Sequence, residues 1–287
     1  MGNPVLLFDN KLQAGNVDTT DMLPWGHHPY MTMPWEGAYS ADAMTSSRLY
    51  DRWEALTNEA QDIFIDCGQD ADVSAIGFAG HNLKTAGCAI TLSASNTSFF
   101  VSGGTVITVL SAFYAPSNRA LLKTFATTRR RYWRISFDTA IEPVAIGCVK
   151  LGRHLELPYP PDTPYTPREY GQAAEVLYSK AGQPLGVIRA NPSIRTTVQV
   201  SVVARDWGLQ GWGDFSWQEI SWATCGNIEW LREALLAMEP LFYGWDLAVY
   251  PNDVVFGMYD GGGGLATPLT VARFIDSFTF TLTSNKE

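Results

Sequence analysis

Charge is scarce in this sequence. Asp, Glu, Lys and Arg make up 17% of its 287 residues, against roughly 25% in an ordinary soluble domain. Clustered positive charge is scarcer still. The net charge is −9, and the one basic run is Arg129-Arg130-Arg131. A protein that grips nucleic acid by neutralising phosphates needs a basic face, so that class is disfavoured, although a wall that lets DNA slide past is not. The arginine run reads as a solvated or carboxylate-paired strand edge, with an inter-subunit contact as the alternative. No apolar stretch approaches the length of a membrane-spanning helix. The N-terminus, Met1-Gly2-Asn3-Pro4, has no basic region leading into an apolar core, so no signal peptide is expected.

Recognisable chemistry is thin as well. The four cysteines, Cys67, Cys88, Cys148 and Cys225, follow no CxxC spacing; three lie inside β-like runs and read as buried thiols acting as small apolar residues in a reducing cytosol. The four histidines, His27, His28, His81 and His154, make no HExxH pattern, so no zinc site is expected. There is no GxSxG elbow. The tetraglycine Gly261–Gly264 has no Lys-Ser/Thr after it and reads as a flexible turn. Asp66, Asp70 and Asp72 cluster near a turn without EF-hand spacing and read as solvated acids, with oxygen ligation of a cation as the alternative. The expectation is therefore a non-enzyme with no cofactor and no metal.

What the chain has in quantity is aromatic and β-branched sequence: 10 Trp, 12 Tyr and 14 Phe. Such residues fill β cores and are also enriched at interface centres. Residues 1–40 hold one apolar run, Val5-Leu6-Leu7-Phe8, then Pro24-Trp25, Pro29-Tyr30 and Pro34-Trp35. This stretch reads as an irregular arm in which Trp25, Tyr30 and Trp35 contact a neighbouring subunit, or as a terminal strand and loop packed on its own domain. Over 41–157 the pattern is strand after strand. Ile63, Ile65 and Cys67 alternate with Asp62, Phe64 and Asp66, and Trp133, Ile135 and Phe137 with Arg134, Ser136 and Asp138. Val73 to Ala79 lacks this alternation, as a strand buried on both faces would. Further runs are expected over 88–94, 105–112 and 144–151, separated by turn residues.

Residues 158–167, with five prolines, predict a stiff linker. A second β unit over 168–287 follows, with strands over 195–204, 245–250, 254–259 and 274–283. It carries one helix over 227–239, capped by Asn227 and stopped by Pro240. Ile228, Leu231, Leu235 and Met238 form its apolar stripe.

Against this background, Asp70-Ala71-Asp72-Val73 through Gly80-His81-Asn82-Leu83-Lys84-Thr85-Ala86-Gly87 resembles a motif of bacteriophage tail and virion proteins. Arg131-Tyr132-Trp133-Arg134-Ile135-Ser136-Phe137 and Ile146-Gly147-Cys148-Val149-Lys150-Leu151-Gly152 resemble the closing strands of galactose-binding-like, discoidin-like jelly rolls in tail-tip and tail-fibre proteins. The order of elements in the C-terminal half resembles the tail-tube and distal-tail β-sandwich fold. The resemblance implies a mainly β protein, a jelly roll followed by a tube-like sandwich. It implies a structural component of the distal tail or baseplate of a siphophage, made in the host cytoplasm and placed in the virion. The partners would be copies of itself in a ring, six or three, together with tail tube and hub proteins, around a channel whose acidic wall does not hold DNA. At the jelly roll, His81 and Asn82 sit at a strand end, either satisfying loop backbone or contacting a sugar. The alternatives to the structural role are a carbohydrate-binding adhesin of the tail tip and a cell-wall hydrolase.

Overall fold

The strand-rich pattern is realised. In the computed structural model the described residues are 3–19, 41–46, 48–99, 104–162, 169–171, 174–178, 180, 183–189, 193–204, 227–261, 270–271 and 274–285. The first half holds β1 (Val5–Leu7), β2 (Val17–Thr19), β3 (Trp53–Glu54), β4 (Gln61–His81), the short helix α1 (Leu83–Ala86), β5 (Ile90–Ser95), β6 (Val106–Phe113), β7 (Leu121–Phe137), β8 (Ala145–Gly152) and β9 (Leu155–Glu156). The second half holds β10 (Glu169–Gly171), β11 (Ala174–Tyr178), β12 (Pro184–Arg189), β13 (Ser193–Ala204), α2 (Asn227–Leu236), β14 (Leu241–Gly244), β15 (Val254–Tyr259), β16 (Thr270–Val271) and β17 (Phe274–Asn285). The protein is mainly β.

One 7-stranded antiparallel sheet runs β3-β8-β4-β7-β5-β6, with β2 beside the start of β4. Its long strands fold it over on itself. Register shifts interrupt the β4–β7 ladder between Asp66 and Ala71 and again between Val73 and Ala75, and such bulges bend strands and tighten their twist. The two portions of the sheet then face each other across one core. Ile63 and Ile65 of β4, Leu92 of β5, and Trp133 and Ile135 of β7 come from one side. Ile76 and Phe78 of β4, and Val149 and Leu151 of β8, come from the other. The result is a β-sandwich.

A second, 8-stranded sheet runs β10-β13-β17-β15-β14-β1-β9, with β16 on β17. It buries one face against the outside of the sandwich. Val5, Leu7, Phe242, Val254 and Phe256 meet Ala75, Ala79, Ala120, Leu122 and Cys148 there. Its other face packs Leu6, Leu155, Leu157, Val198, Val200, Phe280 and Leu282 with Leu231 and Leu235 of α2. β4 over 73–79 and β8 throughout are therefore buried on both faces, as the missing alternation predicts.

The division drawn at residue 40 does not follow the sheets. The stretch read as an arm supplies β1, inserted between β9 and β14, and β2, paired with β4. Three consecutive apolar residues, all buried, are stabilised better between two strands than across a foreign surface. Trp25, Tyr30 and Trp35 lie outside the described residues. Leu157, the residue just before the linker span, lies in the second core, and Asp162 N–H within the span donates to the Gln199 carbonyl of β13; residues 163–167 lie outside the described residues. The helix ends at Leu236, short of the predicted 239. Met238 takes a positive φ and is exposed, so it leaves the apolar stripe. The strand predicted over 245–250 is a turn, in which Asp246 accepts from Val249 N–H and its carbonyl accepts from Tyr250 N–H; the strand, β14, lies just before it.

The two sheets approach closely at Gly77, where a Cβ would stand 2.7 Å from the Phe242 ring. Gly77→Val is expected to destabilise the protein by about 2–4 kcal/mol through overpacking, measured by urea unfolding. Phe242→Leu in the same chain should recover part of that loss.

Candidate functional site

The connections at one end of the sandwich are held by Asn82. It follows the last residue of β4, where Gly80 turns the chain with a φ of 63°. Its Oδ1 accepts from Ala145 N–H at 2.7 Å, and its Nδ2 donates to the Pro143 carbonyl at 2.8 Å and to Glu142 Oε1 at 3.1 Å. Its own carbonyl accepts from Ala86 N–H, closing α1. A third connection joins through Asn118, whose Oδ1 accepts from Lys84 N–H and Thr85 N–H. Thr85 Oγ1 donates to Glu142 Oε1 at 2.6 Å. Three loops, 82–89, 114–120 and 138–144, are thus tied into one body by side-chain amides.

His81 lies beneath them, 5% exposed. Its Nδ1 accepts from Leu83 N–H at 3.3 Å, and its ring stands edge-on to Phe78. Nε2 is buried without a hydrogen-bond partner. Burial pushes the imidazole down to about 4, opposed weakly by the Arg119 backbone. His81 and Asn82 adjoin at the end of β4, and their polar side-chain atoms bond to the backbone of Leu83, Pro143 and Ala145.

Large apolar side chains also face outward here. Tyr50, Tyr114 and Ile141 are 82%, 67% and 80% exposed. Leu49, next to Tyr50, covers Gly80, and Ile141 covers Gly87. Tyr114 directly follows β6 on the loop that Asn118 fixes. The sequence reading missed these three, because exposure of a single aromatic in a loop leaves no periodic signal.

The arginine run lies far along the ribbon. Arg131 grips Asp66 with two hydrogen bonds, at 2.7 and 2.8 Å, and holds its carboxyl below the usual range. Arg129 stands opposite Asp72 and Arg130 opposite Ala71 across the β4–β7 ladder. Asp66 therefore serves an ion pair, and among the described residues no group of three or more His, Cys, Asp or Glu is placed to hold a metal ion. Cys88 and Cys148 are buried thiols, with burial pushing Cys148 up to about 12; Cys67 is half-buried.

No protein-family model matches the sequence, and no curated protein matches it significantly. Solved structures with a similar course include chitosan-binding module 2 of a Paenibacillus sp. IK-5 chitosanase/glucanase, in complex with chitotriose (17% identity, 50% of this chain, 100% of that chain, TM-score 0.38). They also include CpGH89CBM32-6 produced by Clostridium perfringens (16%, 50% and 99%, TM-score 0.36) and the lectin domain of lectinolysin complexed with Lewis B antigen (12%, 50% and 96%, TM-score 0.37). Likeness at this level leaves ligand and function to the residues of this chain.

Two outcomes are expected here. Asn82→Ala removes three side-chain hydrogen bonds and should cost about 2–4 kcal/mol, read by thermal unfolding. His81 must stay neutral in the fold, so its contribution is complete above pH 6.5 and is lost as pH falls from 6.5 towards 4. That contribution is on the order of 3 kcal/mol. Denaturant titrations across this window should show the slope, and His81→Leu should flatten it.

Proposed function

We propose that this protein is a non-catalytic carbohydrate-binding adhesin whose galactose-binding-like jelly roll presents its amide-tied loop end to a glycan. The observation that carries the reading is the pairing of rigidity with exposed apolar surface. Tyr114 and Ile141 stand in solvent on loops that Asn82 and Asn118 tie together, and Tyr50 stands in solvent next to Leu49, which covers Gly80. Exposed apolar groups on a preorganised scaffold mark a binding surface, because little ordering entropy is lost on contact. A tyrosine ring offers an apolar face to the C–H side of a pyranose and a hydroxyl to its rim. Lys84, Asn118, Thr85 and Glu142 supply donors and acceptors beside them.

The second reading keeps the protein in the distal tail or baseplate of a phage as a ring subunit, beside tail tube and hub proteins. It is favoured by β6. This strand closes its sheet on one side, and its sequence, VITVLSAF, holds no charge and no proline, the usual guards of an open edge. The two readings are compatible, since a ring subunit can carry an adhesive module.

A glycan array with the full chain tests the first. Binding is expected, and Tyr114→Ala and Tyr50→Ala should each weaken it by about tenfold with unchanged melting temperature. Full affinity in both variants removes the loop end from the reading. Mass measurement of the purified protein tests the second, with a closed hexamer or trimer expected and a monomer at all concentrations overturning it.

A further inference from the structure

Residues 82–87 are the hub of the loop end. Asn82 bonds to Glu142, Pro143 and Ala145, and Lys84 and Thr85 N–H donate to Asn118 Oδ1. Ile141 N–H donates to the Ala86 carbonyl at 2.7 Å. The loops that bear Tyr114 and Ile141 therefore both hang on this segment. The segment in turn rests on a buried ring. Leu83, the first residue of α1, gives its N–H to Nδ1 of His81 at 3.3 Å. A ring nitrogen that accepts carries no proton, so the proton of the neutral imidazole sits on Nε2. Nε2 is buried with no hydrogen-bond partner, and the ring stands edge-on to Phe78. A second proton would have to go to Nδ1. It would set two donors, itself and the Leu83 N–H, against each other in a buried site, which is costly.

The elements around the ring carry few charges that could offset this. Lys84 lies on α1, Arg119 on the loop after β6, and Asp138 and Glu142 on the loop after β7. The segment at Leu49, which covers Gly80, adds Arg48 and Asp51. β8, whose Ile146 pairs with His81, adds the Cys148 thiol. β3 lies beside β8 there, and its Glu54 pairs with Arg52. Burial governs the titration of the ring, opposed by the Arg119 backbone, and none of these charges stabilises an imidazolium.

We propose that His81 makes the loop end an acid-release site: protonation of its ring breaks the bond to Leu83, loosens residues 82–87 and lets a bound glycan go. The inference rests on the carbohydrate reading above and adds its regulation. The direction is set by which state holds the proton. With the loops tied, the ring is buried and its pKa is pushed down to about 4; with them open, it returns towards the ordinary value of 6.5. Acid therefore favours the open loops. The effect is absent above pH 6.5 and grows as pH falls towards 4. That interval allows a bias of up to roughly a hundredfold. Opening removes the preorganisation of Tyr114 and Ile141, so affinity falls with the fraction of chains whose loops stay tied. His81 acts through Leu83 and is a positioning residue.

Calorimetric titration of the full chain with lactose and with the N-acetylglucosamine tetramer, at about pH 7.5 and about pH 4.5, tests this. Neither sugar titrates in that range. The better ligand is expected to bind about tenfold more weakly at the lower pH, reversibly and with unchanged far-ultraviolet circular dichroism. His81→Gln keeps an acceptor for Leu83 N–H but cannot be protonated, so its affinity should be the same at both. An equal fall in His81→Gln, or no fall in the unaltered chain, overturns the release. Amide hydrogen exchange of the full chain gives a readout that needs no sugar. Protection of residues 82–89, 114–120 and 138–144 should drop at the lower pH in the unaltered chain and hold in His81→Gln. Should neither sugar bind at about pH 7.5, that counts against the carbohydrate reading. Exchange then still decides the opening: loss confined to the unaltered chain supports it, and protection that holds in both overturns it. Where His81→Gln does not fold, proton NMR of the His81 ring takes its place. The ring must titrate over the interval in which protection falls, and titration elsewhere overturns the proposal.

Discussion

Everything in this architecture is arranged around two strands that have no free face. β4 over 73–79 and β8 lie between the core of the sandwich and the second sheet, and each must satisfy different packing on its two sides. Towards the sandwich they offer Ile76, Phe78, Val149 and Leu151. Towards the second sheet they offer Ala75, Gly77, Ala79 and Cys148, small groups that let Phe242 and its neighbours come close. Large groups on both sides would hold the sheets apart and leave voids, and a close-packed interior does not tolerate them. The division of large and small residues between faces is what lets one polypeptide build three packed layers.

Lys150 is the exception on the small face, and it shows what that constraint costs. Its stem is buried between the layers. Its ammonium reaches the Phe8 carbonyl at 3.4 Å and lies 3.9 Å from Glu239 at the rim. Burial pulls its pKa below the usual lysine value. The charge is tolerated because the chain turns there, at the exit of β1 and the end of α2, bringing a carbonyl and a carboxylate within reach. The same region explains why β1 belongs where it does. Threaded between β9 and β14, the N-terminal strand joins the exit of the sandwich to the C-terminal hairpin, so the ends of the chain contribute to one sheet.

Much of the fold was legible because these strands obey simple periods. The alternation of Ile63 and Ile65 with Asp62 and Phe64, and of Trp133 and Ile135 with Arg134 and Ser136, assigned inside and outside correctly, and the continuous run after Asp72 announced a doubly buried strand. Gly80 and Gly87 both take a positive φ, which glycine adopts at little cost. What could not be read was continuity. β4 and β7 run on through Asp66–Asp72 and Thr124–Arg130, where polar residues suggest turns, because cross-strand pairs such as Asp72 with Arg129 keep the ladder going in solvent. The turn at Trp245–Tyr250 was missed for the opposite reason. Its apolar residues suggest a strand, yet the Asp246 carboxylate captures a backbone N–H and bends the chain.

The candidate sites differ in how they were hidden. His81 and Asn82 were visible as polar residues at a strand end: one is sealed beneath the loops and the other spends its amide on three hydrogen bonds to residues 142–145. The exposed tyrosines acquire meaning only once those loops are tied. The pairing of Asp62 with Arg134 depends on the β4–β7 register, since residues 72 positions apart become neighbours only through that ladder. A shift of one position would send both side chains into the core. The register is in turn fixed by Trp133, Ile135, Ile63 and Ile65, which have no other apolar volume to fill. The polar face is therefore held in place by the residues behind it, and its chemistry follows from the packing of the core.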